Sequence, residues 1–205
     1  NKCLEDLEVC ISKIKNFAML APTYDDETVY KNYRIWKPEK LTKSFTDKIF
    51  EKYNITEVDF VENDFVISKK DFKDLGFFDE NIFIYYETMD LCKKARAANK
   101  KIYVCKKIKF THYGASSVSS KFSDQYSLNR SWHYNWSKFY YFKKNFGYFL
   151  ALRKIFPNFL RSIRKMVVCK IYRKKKEYLS HKSELFGILA SIFNKPSSYR
   201  PFEPE

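Results

Sequence analysis

The sequence predicts an α/β fold followed by a helical C-terminal region, and three observations lead to this prediction. Residues 1–112 alternate strand-like apolar segments with helix-like amphipathic ones, whereas residues 125–195 show helical patterns almost throughout. Aromatic residues make up 19% of the 205 residues, enough for a packed core. Only 4 Gly and 6 Pro are present, which argues against a turn-dense all-β barrel.

The elements of the first half follow from local patterns. A first helix is predicted from apolar residues at helical spacing, which are Leu4, Leu7, Ile11 and Ile14. "FAMLAP" predicts a short buried strand that ends at Pro22, and "TEVDFVENDFVISK" alternates apolar and polar residues as a strand does. "KKDFKDLG" predicts a short helix ended by Gly76 in the left-handed conformation.

Three acidic residues, Glu80, Glu87 and Asp90, lie around an aromatic run in the next part of the chain. The aromatic run 83–86 is expected to be buried, and a helix is predicted from Thr88 to Asn99. "KIYVC" and "IKFTH" predict two short strands. From Gln125 the chain is predicted to be helical almost to Lys195, with an interruption at Pro157.

The charge is concentrated in the C-terminal half. Residues 1–110 carry 21 basic and 19 acidic residues, a net charge of +2, whereas residues 111–205 carry 18 basic and 5 acidic ones, a net of +13. Such asymmetry points to a polyanionic partner, either anionic lipid or nucleic acid. The longest apolar run, 146–152, is too short to span a membrane.

The cysteines and the first residues of the chain give two further expectations, on the cellular compartment and on an upstream half. The 5 Cys include no C-x-x-C pair, which favours reduced thiols in a cytoplasm over a zinc site or a disulfide framework. The chain starts with Asn1 and has no charged-then-apolar leader. Residues 1–112 hold too few strands to complete a parallel sheet, so we expect a further N-terminal half upstream of Asn1.

One region resembles a known family. The segment 55–117 contains Gly76, "FDE" at 78–80, Phe83, Tyr85, Glu87, "DL" at 90–91, Arg96 and "HYGAS" at 112–116. In order and spacing these resemble the acceptor-side half of family 2 glycosyltransferases, especially rhamnosyltransferase-like ones. The ends of the chain, 1–54 and "FGILASIFNKPSSYRP", resemble such enzymes more weakly.

The resemblance implies a GT-A fold, of which this chain would hold an incomplete sheet with covering helices. Residues 1–117 would be the acceptor-side part and residues 118–205 a helical, basic, aromatic-rich region. The implied reaction is inverting transfer of a sugar from a nucleotide-diphosphate donor to a lipid-linked or polysaccharide acceptor in cell-surface glycan synthesis. It also implies a divalent metal, Mg or Mn, with its main ligands upstream of Asn1. We therefore expect the chain by itself to be inactive.

The same resemblance assigns roles to individual residues. Glu87 would be the general base, with Asp90 as a less favoured candidate, because Thr88 occupies the position of the second acid of the family and suits a helix N-cap better. The resemblance places the acceptor pocket beside Asp79, Glu80 and Tyr86. It brings His112 near the metal or the diphosphate.

Two readings of the C-terminal half remain. Trp and Tyr beside Lys in residues 132–142, followed by apolar residues at helical spacing among cations, suit a helix on anionic lipid. This predicts a cytoplasmic enzyme bound peripherally to the inner face of the plasma membrane, with no nucleic acid as partner. The alternative is a basic aromatic module that binds nucleic acid or a membrane surface without catalysis.

Overall fold

A computed structural model describes residues 2–25, 31–35, 48–111 and 122–200. The chain divides into two compact units. The first unit consists of Asn1–Phe78 and Thr88–Gly114, and the second of Asp79–Glu87 and Ala115–Glu205. The sequence predicted a boundary at 117–118, whereas the structure also groups the segment 79–87 with the second unit.

The first unit is built on a mixed four-stranded sheet, in agreement with the predicted α/β class. Its strands are β1 (Phe17–Tyr24), β3 (Ile55–Glu57), β5 (Val66–Ile67) and β6 (Lys101–Phe110), and their order is β3-β6-β1-β5. Strands β1 and β6 run parallel, and the two outer strands are antiparallel to their neighbours. A second, two-stranded sheet pairs β2 (Tyr33–Arg34) with β4 (Phe60–Val61).

Helices lie against both faces of the central strand pair. The helices of this unit are α1 (Lys2–Lys13), α2 (Lys48–Tyr53), α3 (Lys69–Asp74) and α4 (Glu87–Ala97). One face of the sheet, which includes Leu20 and Tyr103, packs on α1 and α2. The other face, which includes Met19 and Val104, packs on α4. Since side chains alternate along a strand, the continuous apolar runs of β1 and β6 serve both faces.

Local stop signals were predicted correctly, but some boundaries were wrong. Gly76 (φ 73°) follows α3 and Asn99 (φ 55°) follows α4, both in the left-handed conformation expected of them. The strand predicted to end at Pro22 continues to Tyr24. On one side β6 pairs with β1 as far as Tyr24, with Pro22 opposite Cys105. On the other side β5 pairs only with Met19 and Leu20, so the missing N–H of Pro22 costs no ladder bond to β5.

Three further sequence expectations are corrected. The alternating segment 56–68 forms three short strands, and the two strands predicted after Asn99 form the single strand β6. The buried face of α1 contains Leu7, Cys10 and Ile14, whereas Leu4 and Ile11 are exposed. Buried cysteines pack as small apolar residues, which shifts the buried face of the helix.

The second unit contains three long helices, α5 (Ser123–Phe146), α6 (Tyr148–Ile171) and α7 (Lys175–Ile192). Their apolar core is formed by Phe139, Ala151, Ile155 and Ile188. The interruption predicted at Pro157 is wrong, because this exposed proline lies inside α6. The chain instead turns at Gly147 (φ 90°), between α5 and α6. None of the described helices is long and apolar enough to cross a membrane.

Helices α5 and α7 approach closely at one glycine. A β-carbon placed on Gly187 would lie 2.2 Å from the carbonyl oxygen of Trp132. The same pair of helices is joined by the Ser183 hydroxyl, which donates to the carbonyl of Leu128 at 2.8 Å. Only glycine permits this separation of the two backbones.

Candidate functional site

The aromatic run 83–86, in the segment Asp79–Glu87, is not buried as the sequence predicted: Phe83 is exposed and the other three residues are half-buried. Residues 83–86 have no strand pairing, and Phe83 is 49% exposed. Tyr85 (φ 65°) and Tyr86 (φ 70°) are both in the left-handed region, which large side chains seldom occupy. The backbone here is fixed by side chains of α5 in place of a sheet: Ser137, for example, donates from Oγ to the carbonyl of Ile84 at 2.8 Å.

Asp79 begins this segment and is held by several hydrogen bonds. Its Oδ2 accepts from the hydroxyl of Tyr140 at 3.0 Å and from Nζ of Lys144 at 2.8 Å, and its Oδ1 accepts from Asn81. Burial alone raises its pKa, but these donors outweigh burial and hold the pKa at about 2. Because both carboxylate oxygens of Asp79 already accept hydrogen bonds from neighbouring residues, we interpret Asp79 as a residue that positions the segment 79–87.

Tyr86 is packed among other rings. Its ring centroid lies 5.4 Å from that of Tyr141 and 5.7 Å from that of Tyr134. Burial raises the pKa of the Tyr86 hydroxyl, with a further contribution from the neighbouring tyrosines. The ring therefore fixes the backbone immediately before Glu87 and is half-buried.

Glu80, in contrast, is exposed and lines a cavity of about 390 Å³ within the second unit. The wall of this cavity also contains Phe83 from the same segment and Tyr140 from α5. Of the three residues predicted to bind an acceptor, Glu80 is the one found on this cavity wall.

Glu87 is the first residue of α4 and has an unusual carboxylate. Its Oε2 atom is buried and has no hydrogen-bond partner within the described part of the chain. Burial raises the pKa of Glu87 above its usual value of 4.5, although a bond from its own backbone N–H partly offsets the increase. A half-buried carboxylate with a raised pKa is suited to accept a proton near neutral pH.

Asp90 differs from Glu87 in its surroundings. It is only 1% exposed, and one of its carboxylate oxygens lies 3.6 Å from Nζ of Lys94 on the same helix. A buried acid paired with a cation in this way commonly has a structural role. Thr88 was expected at the N-cap but lies one residue inside α4, where it is buried.

His112 lies outside the described residues. Among residues 2–25, 31–35, 48–111 and 122–200 no three His, Cys, Asp or Glu side chains come together in a group that could hold a metal ion. The resemblance places the main ligands of the implied metal upstream of Asn1, so the metal stays a prediction.

Sequence patterns missed most residues of the cavity. Lys143, Asn194, Lys195 and Arg200 line it together with Glu80, although they are far apart in the chain. The signal available was the weak resemblance of "FGILASIFNKPSSYRP", which carries three of these residues. Comparison of the chain with protein-family models, with curated proteins and with solved structures gave no match.

Proposed function

We propose that this chain is the acceptor-side part of an inverting glycosyltransferase with a GT-A fold. Its substrates would be a nucleotide-diphosphate sugar, with rhamnose as one candidate, and a lipid-linked or polysaccharide acceptor. The carboxylate of Glu87 is the observation that carries the proposal. Among the described residues one of its oxygens has no hydrogen-bond partner, its pKa is raised, and it lies where the resemblance implies the base.

The chemistry requires one base and one nucleophile. The carboxylate of Glu87 takes the proton of an acceptor hydroxyl, whose oxygen forms a bond to the anomeric carbon of the donor sugar. The bond from that carbon to the diphosphate breaks, and the nucleoside diphosphate leaves with the electron pair. Attack opposite the leaving group inverts the anomeric configuration. Asp90 is less suited to this role because it is buried and paired with Lys94.

The surface of α6 supports a peripheral position on an anionic membrane. An exposed apolar row follows one side of this helix, formed by Phe149, Phe156, Leu160, Ile163, Val167 and Ile171. At 100° per residue these positions lie opposite the buried Ala151, Ile155, Ser162 and Cys169. Arg153 and Arg164 lie at one edge of the row and Lys170 at the other, as expected of a helix lying on anionic lipid.

This pattern favours lipid over nucleic acid. Single-stranded nucleic acid is held by aromatic rings on which bases stack, together with cations that follow the backbone. Four of the six residues in the exposed row are aliphatic and offer no ring for stacking. A membrane-binding module without catalysis is the second candidate, because the row on α6 supports it without any role for Glu87.

A transfer assay separates the two candidates. Membranes from cells that express the full-length protein, with the half expected upstream of Asn1, are supplied with labelled nucleotide sugars, and incorporation into lipid-linked glycan is measured. Glu87→Gln should reduce transfer by about 10²–10⁴-fold, the usual contribution of a positioned base. The matched control is Glu177→Gln, at an exposed glutamate in the first turn of α7, and it should transfer normally. Normal transfer by Glu87→Gln would remove this residue from the reaction. Absence of transfer in wild-type protein that still binds vesicles would favour the membrane-binding module.

A further inference from the structure

The cavity beside Glu80 has the composition of a small-molecule site. Its volume of about 390 Å³ falls in the lower part of the usual range for ligand pockets, roughly 300–1,000 Å³. Its wall is formed by the segment 79–87, by α5 and by the end of α7 with the residues that follow it. A cavity of this size fits a monosaccharide or a similar molecule, not an oligosaccharide.

Positive charge predominates on its wall. Of the described residues, Lys143, Lys195 and Arg200 line the cavity, against the single carboxylate of Glu80. The net positive charge makes the site favourable for an anion. A phosphate monoester, with about −1.5 to −2 charges near pH 7, balances it better than a single carboxylate does.

The cationic groups are held in place before any ligand binds. The guanidinium of Arg200 lies 3.5 Å from the ring centroid of Phe83, and its Nη1 donates to the carbonyl oxygens of Ser197 (3.2 Å) and Tyr199 (2.8 Å). The indole N–H of Trp136 donates to the carbonyl of Lys195 at 2.9 Å. In the described part of the chain, Nε and Nη2 of Arg200 and Nζ of Lys195 have no hydrogen-bond partner. These donors remain available to a ligand.

The aromatic residues of the cavity argue against a planar base. Trp136 is stacked on Tyr140 at 5.0 Å and on Trp132 at 6.4 Å, so both of its ring faces are covered. One face of Phe83 is covered by Arg200. The remaining lining includes the side chains of Asn81, Asn194 and Ser197, which suit hydroxyl groups.

We infer that this cavity binds a phosphorylated monosaccharide, with the phosphate at Lys195 and Arg200 and the sugar hydroxyls at the amide and hydroxyl side chains. The inference deepens the proposed function, because the resemblance places the acceptor pocket beside Glu80. Binding uses neither Glu87 nor Asp90, so its failure and the failure of transfer can be measured separately. A free sugar phosphate and the sugar-phosphate head group of a lipid both offer a sugar beside a phosphate anion, but the lipid-linked phosphate is a diester with one negative charge.

Calorimetric titration of the 205-residue chain tests the inference, with glucose 1-phosphate as probe. Glucose 1-phosphate should bind at a single saturable site, at least about fivefold tighter than inorganic phosphate, glucose or uridine monophosphate, because only it engages both parts of the cavity. Lys195→Gln and Arg200→Gln should each weaken binding about three- to tenfold, since each removes one favourable charge. Glu80→Gln should strengthen binding, because it removes the like charge.

Lys182→Gln, at an exposed lysine of α7 outside the cavity, is the matched control and should bind as wild type does. Thermal melting verifies that each variant is folded. A truncated polyprenyl phosphoglucose, titrated in parallel, shows whether the ligand is a free sugar phosphate or a lipid head group. Tighter binding than that of glucose 1-phosphate would identify the lipid head group as the ligand.

Three results would overturn the inference. They are absence of saturable binding by both sugar phosphates, equal affinity for inorganic phosphate or uridine monophosphate, and affinity that Lys195→Gln, Arg200→Gln and Glu80→Gln all leave unchanged. Binding should weaken in Lys195→Gln and strengthen in Glu80→Gln. This contrast distinguishes an effect of charge from a general loss of structure.

Discussion

The ammonium group of Lys144 lies 2.8 Å from Oδ2 of Asp79, and this ion pair joins the start of the segment 79–87 to the last turn of α5. Asp79 is 9% exposed in its side chain, so the pair is shielded from water more than a surface pair is. It holds the segment that leads to Glu87 on one side and contributes Glu80 to the cavity on the other.

Replacing Asp79 with Asn should lower the free energy of unfolding by about 1–2 kcal/mol near pH 7, because Lys144 and Tyr140 lose a charged acceptor. The folded-state pKa of about 2 is below the usual 3.8, so this stabilisation is present above pH 3.8 and is lost as the pH falls through 2. Urea unfolding at several pH values measures the difference between variant and wild type. Asp74→Asn removes an exposed ion pair with Lys70 and should cost less than about 0.5 kcal/mol. Equal losses from the two substitutions would contradict the special role of Asp79.

Replacing Glu87 with Gln should stabilise the fold near pH 7, the opposite of the effect at Asp79. The pKa of Glu87 is raised in the folded state, so the folded chain binds more protons and stability falls as pH rises above about 4.5. The variant should not lose stability as the pH rises, and below pH 4.5 its free energy of unfolding should equal that of wild type. Urea unfolding on both sides of that value provides the measurement, with Glu177→Gln as the exposed control. A variant less stable than wild type near neutral pH would contradict the raised pKa.

Replacing Gly187 with Ala should destabilise the second unit by about 1–3 kcal/mol, since the new methyl group overlaps the backbone of Trp132. Thermal unfolding followed by circular dichroism measures the loss. Lys182→Ala, at an exposed position of the same helix, should be within about 0.5 kcal/mol of wild type. An unchanged melting temperature for Gly187→Ala would show that α5 and α7 can move apart to accept the methyl group with no loss of stability.

Vesicles of anionic lipid should bind the chain through α6, and added salt should weaken the binding because exposed charges are screened. Leu160→Ser and Val167→Ser should each reduce binding about three- to tenfold, since each removes exposed apolar area from the row on α6. Leu4→Ser changes a similarly exposed leucine of α1 and should have no effect. Sedimentation with vesicles provides the measurement. Equal binding to neutral vesicles at every salt concentration would contradict the electrostatic contribution, and tighter binding to single-stranded nucleic acid would favour the alternative partner.

The parts of the fold that depend on neighbouring residues could be predicted from the sequence. Gly76 and Asn99 follow helices in the left-handed conformation as expected, because such stop signals depend on backbone preferences of single residues. The end assigned to β1 at Pro22 was wrong, because β6 continues to pair with β1 through Thr23 and Tyr24. Periodicity alone carries no information on such pairing.

The candidate site was harder to predict for the same reason. The run 83–86 is aromatic enough for a buried strand, yet its conformation is set by rings and hydroxyls of α5, some 50 residues away in sequence. Glu87 and Asp90 could be proposed as candidates for the general base from the resemblance. Which of them is better suited to that role depends on burial and on the ion pair of Asp90 with Lys94. The cavity joins Glu80 to Arg200, a proximity that no local pattern encodes.

The grouping of Asp79–Glu87 with the second unit has a consequence for dissecting the protein into fragments. A single cut after Gly114 would leave this segment attached to the wrong piece. The piece 115–205 would then lack the groups that Ser137, Tyr140 and Lys144 bind, and the side of α5 that carries Tyr134 and Tyr141 would be uncovered. A synthetic peptide of sequence 79–87 should therefore bind to the isolated piece 115–205, so that two separately made molecules restore the helical unit by complementation.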